Sequence, residues 1–206
     1  MSEFTELLKN RRSASKFIQG VDIPEQDLNE IFSLAKYAPS AFNLQHAHYV
    51  VVKDPELKEK VYEAANKQYK IRTASAVIAV MGNTHAYKDA ATLNEGLLTL
   101  GVMSKQEYDL TVKSTTAFYE ERGEVFQREE AIRNASLSAM QMMLIAKDHG
   151  WDTCPMIGFD PVALSEVLGT PESYVPVMLI AIGKEDTASQ RPRGYRKPVA
   201  EFVKYL

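Results

Sequence analysis

The sequence predicts an α+β fold with few strands and many helices. Three short apolar runs read as buried strands, at Tyr49–Val52, Ala76–Met81 and Val175–Ile182. The stretches between them repeat their apolar residues at helical spacing. Strands and helices do not alternate in the regular βαβ order of a doubly wound sheet.

The elements follow in order. Residues 3–10 read as a short helix leading into Arg11, Arg12 and Ser13. A second helix is expected over 24–38. Pro24 lies in its first turn, Glu25 and Asp27 follow, and Leu28, Ile31, Phe32 and Ala35 form one apolar face. Pro39 ends it. After the first strand, Lys53, Asp54 and Pro55 close the turn into a charged helix over about 56–66. The region 88–128 reads as mixed and mostly helical, and a long helix is expected over 129–149, stopped by Gly150. A short helix is expected near 161–168, and the last two dozen residues form a polar tail punctuated by proline.

A chain of 206 residues can bury roughly 70% of its surface in one core, so a single domain over residues 1–206 is expected. A net charge of −3 argues against a nucleic-acid or membrane-surface binder. Cys154 is the one cysteine, which excludes an intramolecular disulfide and points to a reducing compartment. The N-terminus lacks the pattern of a signal peptide, and the longest apolar runs are too short to span a bilayer. A cytoplasmic protein is expected.

Three patches carry chemistry. The first, Arg11 to Phe17, packs two arginines, two hydroxyls and a lysine into seven residues. If it is extended, Arg11, Ser13 and Ser15 face one way, which suits a phosphate or a heterocycle edge. The second, Ala38 to Gln45, is a loop of small residues with amides at Asn43 and Gln45, able to admit a flat ligand close to backbone. The third, Arg191 to Pro198, holds four basic residues in eight. Each alone also fits a blander reading: a solvated basic turn, an ordinary helix-to-strand loop, a frayed tail.

In this order and spacing the patches resemble the FMN-dependent nitroreductase family. The resemblance covers nearly the whole chain. It rests on Arg11, Arg12 and Ser13 with Phe17, the Ala-Pro-Ser-Ala-x-Asn-x-Gln loop at 38–45, the stretch Ile157 to Asp160, and Arg193, Arg196, Lys197 and Pro198. It implies a mainly antiparallel central sheet flanked by helices, and a homodimer whose C-terminal tail reaches the partner. It implies FMN as cofactor, NADH or NADPH as transient donor, and a nitroaromatic, quinone or similar small acceptor. By resemblance, Arg11, Ser13 and Arg196 contact the FMN phosphate, with Arg12 and Arg193 close by. Pro39, Ser40, Ala41, Asn43 and Gln45 line the flavin from the other protomer. Ile157 and Gly158 offer backbone near N5, and the loop with Lys67, Gln68 and Lys70 reaches the pyrimidine edge.

The chain departs from the pattern at three places. Relatives often carry a basic residue at the position of Ser15, many read Gln-Pro-Trp where Gln45, His46 and Ala47 stand, and some have Glu in place of Ile157. No side-chain acid, base or nucleophile is required for hydride transfer, so no catalytic residue is assigned. His46 and His48 could in principle ligate a metal but lack partners at ligand spacing, and no metal site is expected. Cys154 reads as a buried cysteine and not a nucleophile. Met140, Met142 and Met143 read as core residues of the long helix, and its small residues Ala135, Ser136, Ser138 and Ala139 are expected at the dimer interface by resemblance. A flavin carrier without NAD(P)H turnover is the alternative function.

Overall fold

The computed structural model describes residues 2–206. Its centre is a four-stranded antiparallel sheet in the order β1-β2-β4-β3. The strands are β1 (Ala47–Val52), β2 (Ala76–Asn83), β3 (Asp152–Met156) and β4 (Tyr174–Gly183). Among the described residues the α-helices are α1 (Glu3–Asn10), α2 (Glu25–Ala35), α3 (Pro55–Ala64), α4 (Tyr69–Thr73), α5 (Ala90–Thr99), α6 (Lys105–Glu120), α7 (Gly123–Asp148) and α8 (Pro161–Leu168). This is the expected α+β class.

The two middle strands are apolar on both faces because both faces are covered. Val77, Ala79 and Met81 of β2, with Leu179 and Ala181 of β4, pack against Val61 of α3, Ile71 of α4 and Leu164 of α8. The alternate residues Ala76, Ile78, Val80, Ile180 and Ile182 pack against Leu28 and Ile31 of α2 and Ala135, Ala139 and Met142 of α7. A strand buried on two faces reads as a continuous apolar run, which is why β2 and β4 are legible in sequence. Polar anchors fix the helix ends. Asp54 caps α3 through the Leu57 amide at 2.8 Å, and Asp160 caps α8 through Val162 and Ala163 at 2.9 and 3.1 Å.

Several expectations are corrected. A fourth strand, β3, lies at the sheet edge. Its Asp152, Thr153 and Pro155 break any apolar run, and the edge tolerates a proline, which has no N–H to donate to the ladder. The segment after Lys67 contains the five-residue helix α4. α2 ends at Ala35, and α7 begins at Gly123, six residues before the expected start. Met140 is exposed, whereas Met142 and Met143 are buried.

The small residues of α7 act within the chain. Ala135 and Ala139 are fully buried against the sheet, and Ser138 Oγ meets the Tyr49 hydroxyl at 2.6 Å. Ala135, Ser138 and Ala139 are thus covered within the chain, and the side of α7 left open carries Leu137 and Met140, with Ser136 half-buried. The contact is tightest at Gly82 of β2. A Cβ there would lie 2.8 Å from the carbonyl oxygen of Ala131 and 2.9 Å from its carbon. Helix backbone thus rests on strand backbone, which only glycine permits.

Gly82→Ala should therefore destabilise the fold by about 1–3 kcal/mol through overpacking. Gly96→Ala, where an added Cβ meets nothing within 4 Å, should stabilise by up to about 1 kcal/mol as a helix substitution. Urea denaturation of both variants checks this; equal effects would show that α7 can shift without cost.

Candidate cofactor site

The N-terminal basic segment runs alongside β3. Ser13 bridges Thr153 in parallel and Phe17 bridges Glu185 antiparallel. Ala14 and Phe17 are buried, so the segment is pinned by its apolar residues, with Ser13 exposed and Ser15 half-buried at a bend between the two bridges. The Ser15 amide donates to Glu185 Oε1 at 3.1 Å.

The tail returns to the same edge. The Arg193 guanidinium donates to the carbonyls of Lys9 and Arg11, and Arg12 donates to the carbonyl of Arg191. Arg196 donates to the carbonyls of Gly194 and Tyr195 at 3.2 and 3.0 Å. Burial, then repulsion from Arg193 and Arg196, pulls the Arg11 guanidinium below its ordinary pKa. No carboxylate forms an ion pair with Arg11, Arg193 or Arg196 among the described residues. Three cations on neighbouring segments without a paired carboxylate could hold an anion.

The rest of the edge is polar backbone and amide. The carbonyl of Gly158 accepts from Gln68 Nε2 at 2.9 Å and Asn66 Nδ2 at 3.1 Å. Gly158 lets Gln68 approach closely, since an added Cβ would lie 3.2 Å from its Nε2. Ile157 beside it is exposed. Asn66 and Lys67 both take left-handed φ, and Lys67 pairs with Glu63 at 3.5 Å. Lys70 Nζ lies 3.0 Å from Cys154 Sγ. Ser15, Lys16, Tyr69, Lys70 and Arg191 line a cleft of about 300 Å³.

Pro39, Ser40 and Gln45 belong to a different part of the surface. They line a cleft of about 750 Å³ between α2 and β1, together with Asn134 and Ser138. Ala41 and Asn43 lie on the same loop, where Phe42, Asn43 and Gln45 all have left-handed φ. The loop enters β1 at Ala47, whereas Ser13 shares a row with Thr153, Ile182 and Ala76, next to the other end of β1. Four strand spacings of about 4.8 Å and six residues of about 3.3 Å separate these corners, on the order of 30 Å. Within one chain the two groups of predicted residues do not meet.

His46 and His48 diverge. His46 is buried with neither ring nitrogen bonded, while His48 is exposed and sits edge-on to Tyr174. No group of three or more metal-ligating side chains occurs among the described residues. Sequence reasoning missed Asn66, Glu185 and Asn134. Asn134 is a polar residue on the buried face of α7, a signal visible only once the helix phase is known.

Comparisons with known proteins bear on the chain's family and fold. A family model described as the nitroreductase family matches residues 8–184. The chain is 58% identical over 206 residues, all of both chains, to a protein of Bacillus subtilis (strain 168) named as an NAD(P)H nitroreductase, MhqN. A Bacillus subtilis crystal structure described as a nitroreductase, ydfN, superposes with a TM-score of 0.97 at 58% identity, covering 99% of each chain. A nitroreductase from Exiguobacterium sibiricum, crystallised in complex with FMN, superposes with a TM-score of 0.91 at 29% identity, covering 100% of this chain and 98% of that one.

Burial without a partner lowers the pKa of His46 from 6.5 to about 4. Below pH 6.5 the unfolded chain binds a proton that the folded chain refuses until about pH 4. Stability from this group is therefore lost as pH falls through that window. His46→Phe should shrink the difference between urea midpoints measured at about pH 7 and about pH 5. An unchanged difference would assign the acid sensitivity to other groups.

Proposed function

The chain belongs to the nitroreductase family, and from that premise we propose that this oxidoreductase binds FMN and passes electrons from NAD(P)H to a small conjugated acceptor. The observation that carries the proposal is the docking of Arg193 on the Arg11 carbonyl at 3.3 Å, with Arg196 on the same tail and no carboxylate among the described residues paired to any of the three, which fits a phosphate dianion. Arg11, Ser13 and Arg196 would hold that phosphate, with Arg12 and Arg193 alongside. Lys67, Gln68 and Lys70 would face the pyrimidine edge of the ring, and Ile157 and Gly158 would offer backbone groups beside it. Ser15 lines the same cleft as Lys70.

Bound FMN supplies the redox chemistry, accepting hydride from NADH or NADPH and releasing two electrons to the acceptor. The protein supplies orientation and charge. Lys70, held at the cleft by Cys154, would favour negative charge that develops on the pyrimidine side. Donor and acceptor would use one cleft in turn, which is ping-pong order; nitroaromatics and quinones match a flat site.

The separation of the two residue groups supports a shared site. Pro39, Ser40, Ala41, Asn43 and Gln45 are on the order of 30 Å from the basic cluster in one chain, so a second protomer would bring its own loop to this edge. The tail exposes Phe202, Tyr205 and Leu206. Those residues would be covered in a homodimer with the tail reaching across. No helix among the described residues is long and apolar enough to cross a membrane. The single cysteine fits the reducing cytoplasm, and the net charge of −3 fits small-molecule partners and not nucleic acid or a membrane surface.

The purified protein should be yellow and release about one FMN per chain, as one phosphate site per protomer requires. Arg196→Ala and Arg11→Ala should each weaken FMN binding about 10–100-fold, the scale of one charged hydrogen bond. Titration of flavin-free protein measures this, and unchanged affinity in both variants would place the phosphate elsewhere. Anaerobic bleaching of the bound flavin by NADH or NADPH separates the reductase from a flavin carrier.

A further inference from the structure

The loop at 40–45 is held in a conformation that its own residues disfavour. Phe42, Asn43 and Gln45 have φ of 52°, 55° and 51°, and a bulky side chain such as Phe42 rarely occupies that region. Local bonds close the loop on itself. The Gln45 amide donates to Ser40 Oγ at 2.9 Å, and the Asn43 amide donates to the Ser40 carbonyl at 3.0 Å. One further bond ties it to the body of the protein: the Ala41 amide donates to Asn134 Oδ1 at 2.8 Å.

Asn134 is itself fixed. It is buried, and its Nδ2 donates to the Glu130 carbonyl at 2.8 Å and the Glu130 carboxylate at 3.3 Å. Glu130 is buried too, and its carboxylate also receives the Tyr119 hydroxyl at 3.4 Å and pairs with Arg133. An amide that donates to a carboxylate becomes a stronger acceptor at its oxygen, because bonds in a chain polarise one another. The short asparagine reaches the loop because α7 lies on the sheet at Ala131, one turn earlier. Nothing in FMN binding itself calls for a buried carboxylate on this helix.

We infer that Asn134, backed by Glu130, is a positioning residue that fixes the strained 40–45 loop in the shape that lines the flavin of the partner subunit. The inference rests on the FMN reading above. In this role Asn134 acts through the Ala41 amide.

Hydrogen exchange on the full-length protein, with and without FMN, tests the clamp. In Asn134→Ala the amides of 41–45 should exchange roughly tenfold faster, the scale of one lost hydrogen bond, with the sheet unchanged. In Glu130→Gln, where an amide oxygen still accepts from Asn134 while the charge is gone, the acceleration should be only about two- to threefold. This milder variant decides the question if Asn134→Ala fails to fold. The loosened loop should also change the visible band shape of bound FMN and raise the KM for a quinone acceptor several-fold. Unchanged exchange at 41–45 overturns the inference. Faster exchange with an unchanged flavin spectrum and unchanged KM also overturns it. In that case Arg196→Ala separates the causes. If that variant still weakens FMN, only the positioning role has failed; if it does not, the FMN reading has failed with it.

Discussion

Backbone contact between α7 and β2 organises this molecule. At Gly82 the strand has no side chain, and the helix carbonyl of Ala131 occupies the space that one would fill. Close approach then requires small residues along the same helical face, and Ala135, Ser138 and Ala139 supply them. The short distance also lets short polar side chains work across the gap. Ser138 reaches Tyr49, and Asn134 reaches the Ala41 amide. A helix at ordinary distance would need longer, more mobile side chains to make those bonds. Packing density on one face of the sheet thus becomes loop geometry at its edge.

The opposite edge is organised by charge. β3 and the segment from Ser13 to Phe17 lie together through two isolated bridges, and the tail folds back so that Arg193 meets the Lys9 and Arg11 carbonyls. These carbonyls satisfy donors but supply no full negative charge. Arg11 consequently holds its proton less tightly than usual, from burial and from Arg193 and Arg196. A polyanion would relieve that repulsion, and its phosphate would gain bidentate partners. The Cys154 thiol beside Lys70 adds a polarisable contact but no fixed charge. The edge therefore carries positive charge that no carboxylate among the described residues pairs with.

Legibility in sequence followed burial. β2 and β4 are covered on both faces, so their apolar runs were readable, and Asp54 with Pro55 marked the turn into α3. β3 was unreadable because Asp152 and Pro155 serve an edge strand, where ladder bonds are needed on only one side. The start of α7 was unreadable because its buried face carries Gln127, Glu130 and Asn134. Polar residues there satisfy one another and Tyr119, so the apolar period fails even though the face is buried.

The sequence by itself determined the α+β class, the order of most elements and the residue types of the basic and small-residue patches. Those depend on local spacing and on side-chain chemistry, which the chain carries without folding. Only the tertiary structure decided that Arg11 meets Arg193 and Arg196 across more than 180 positions of chain, and that Gly82 receives Ala131. It also decided that the loop at 39–45 lies at a far corner of the sheet from Ser13. Strand order, helix phase and edge placement set these distances, and they arise from burying both faces of one sheet at once, a constraint that no short window of sequence contains.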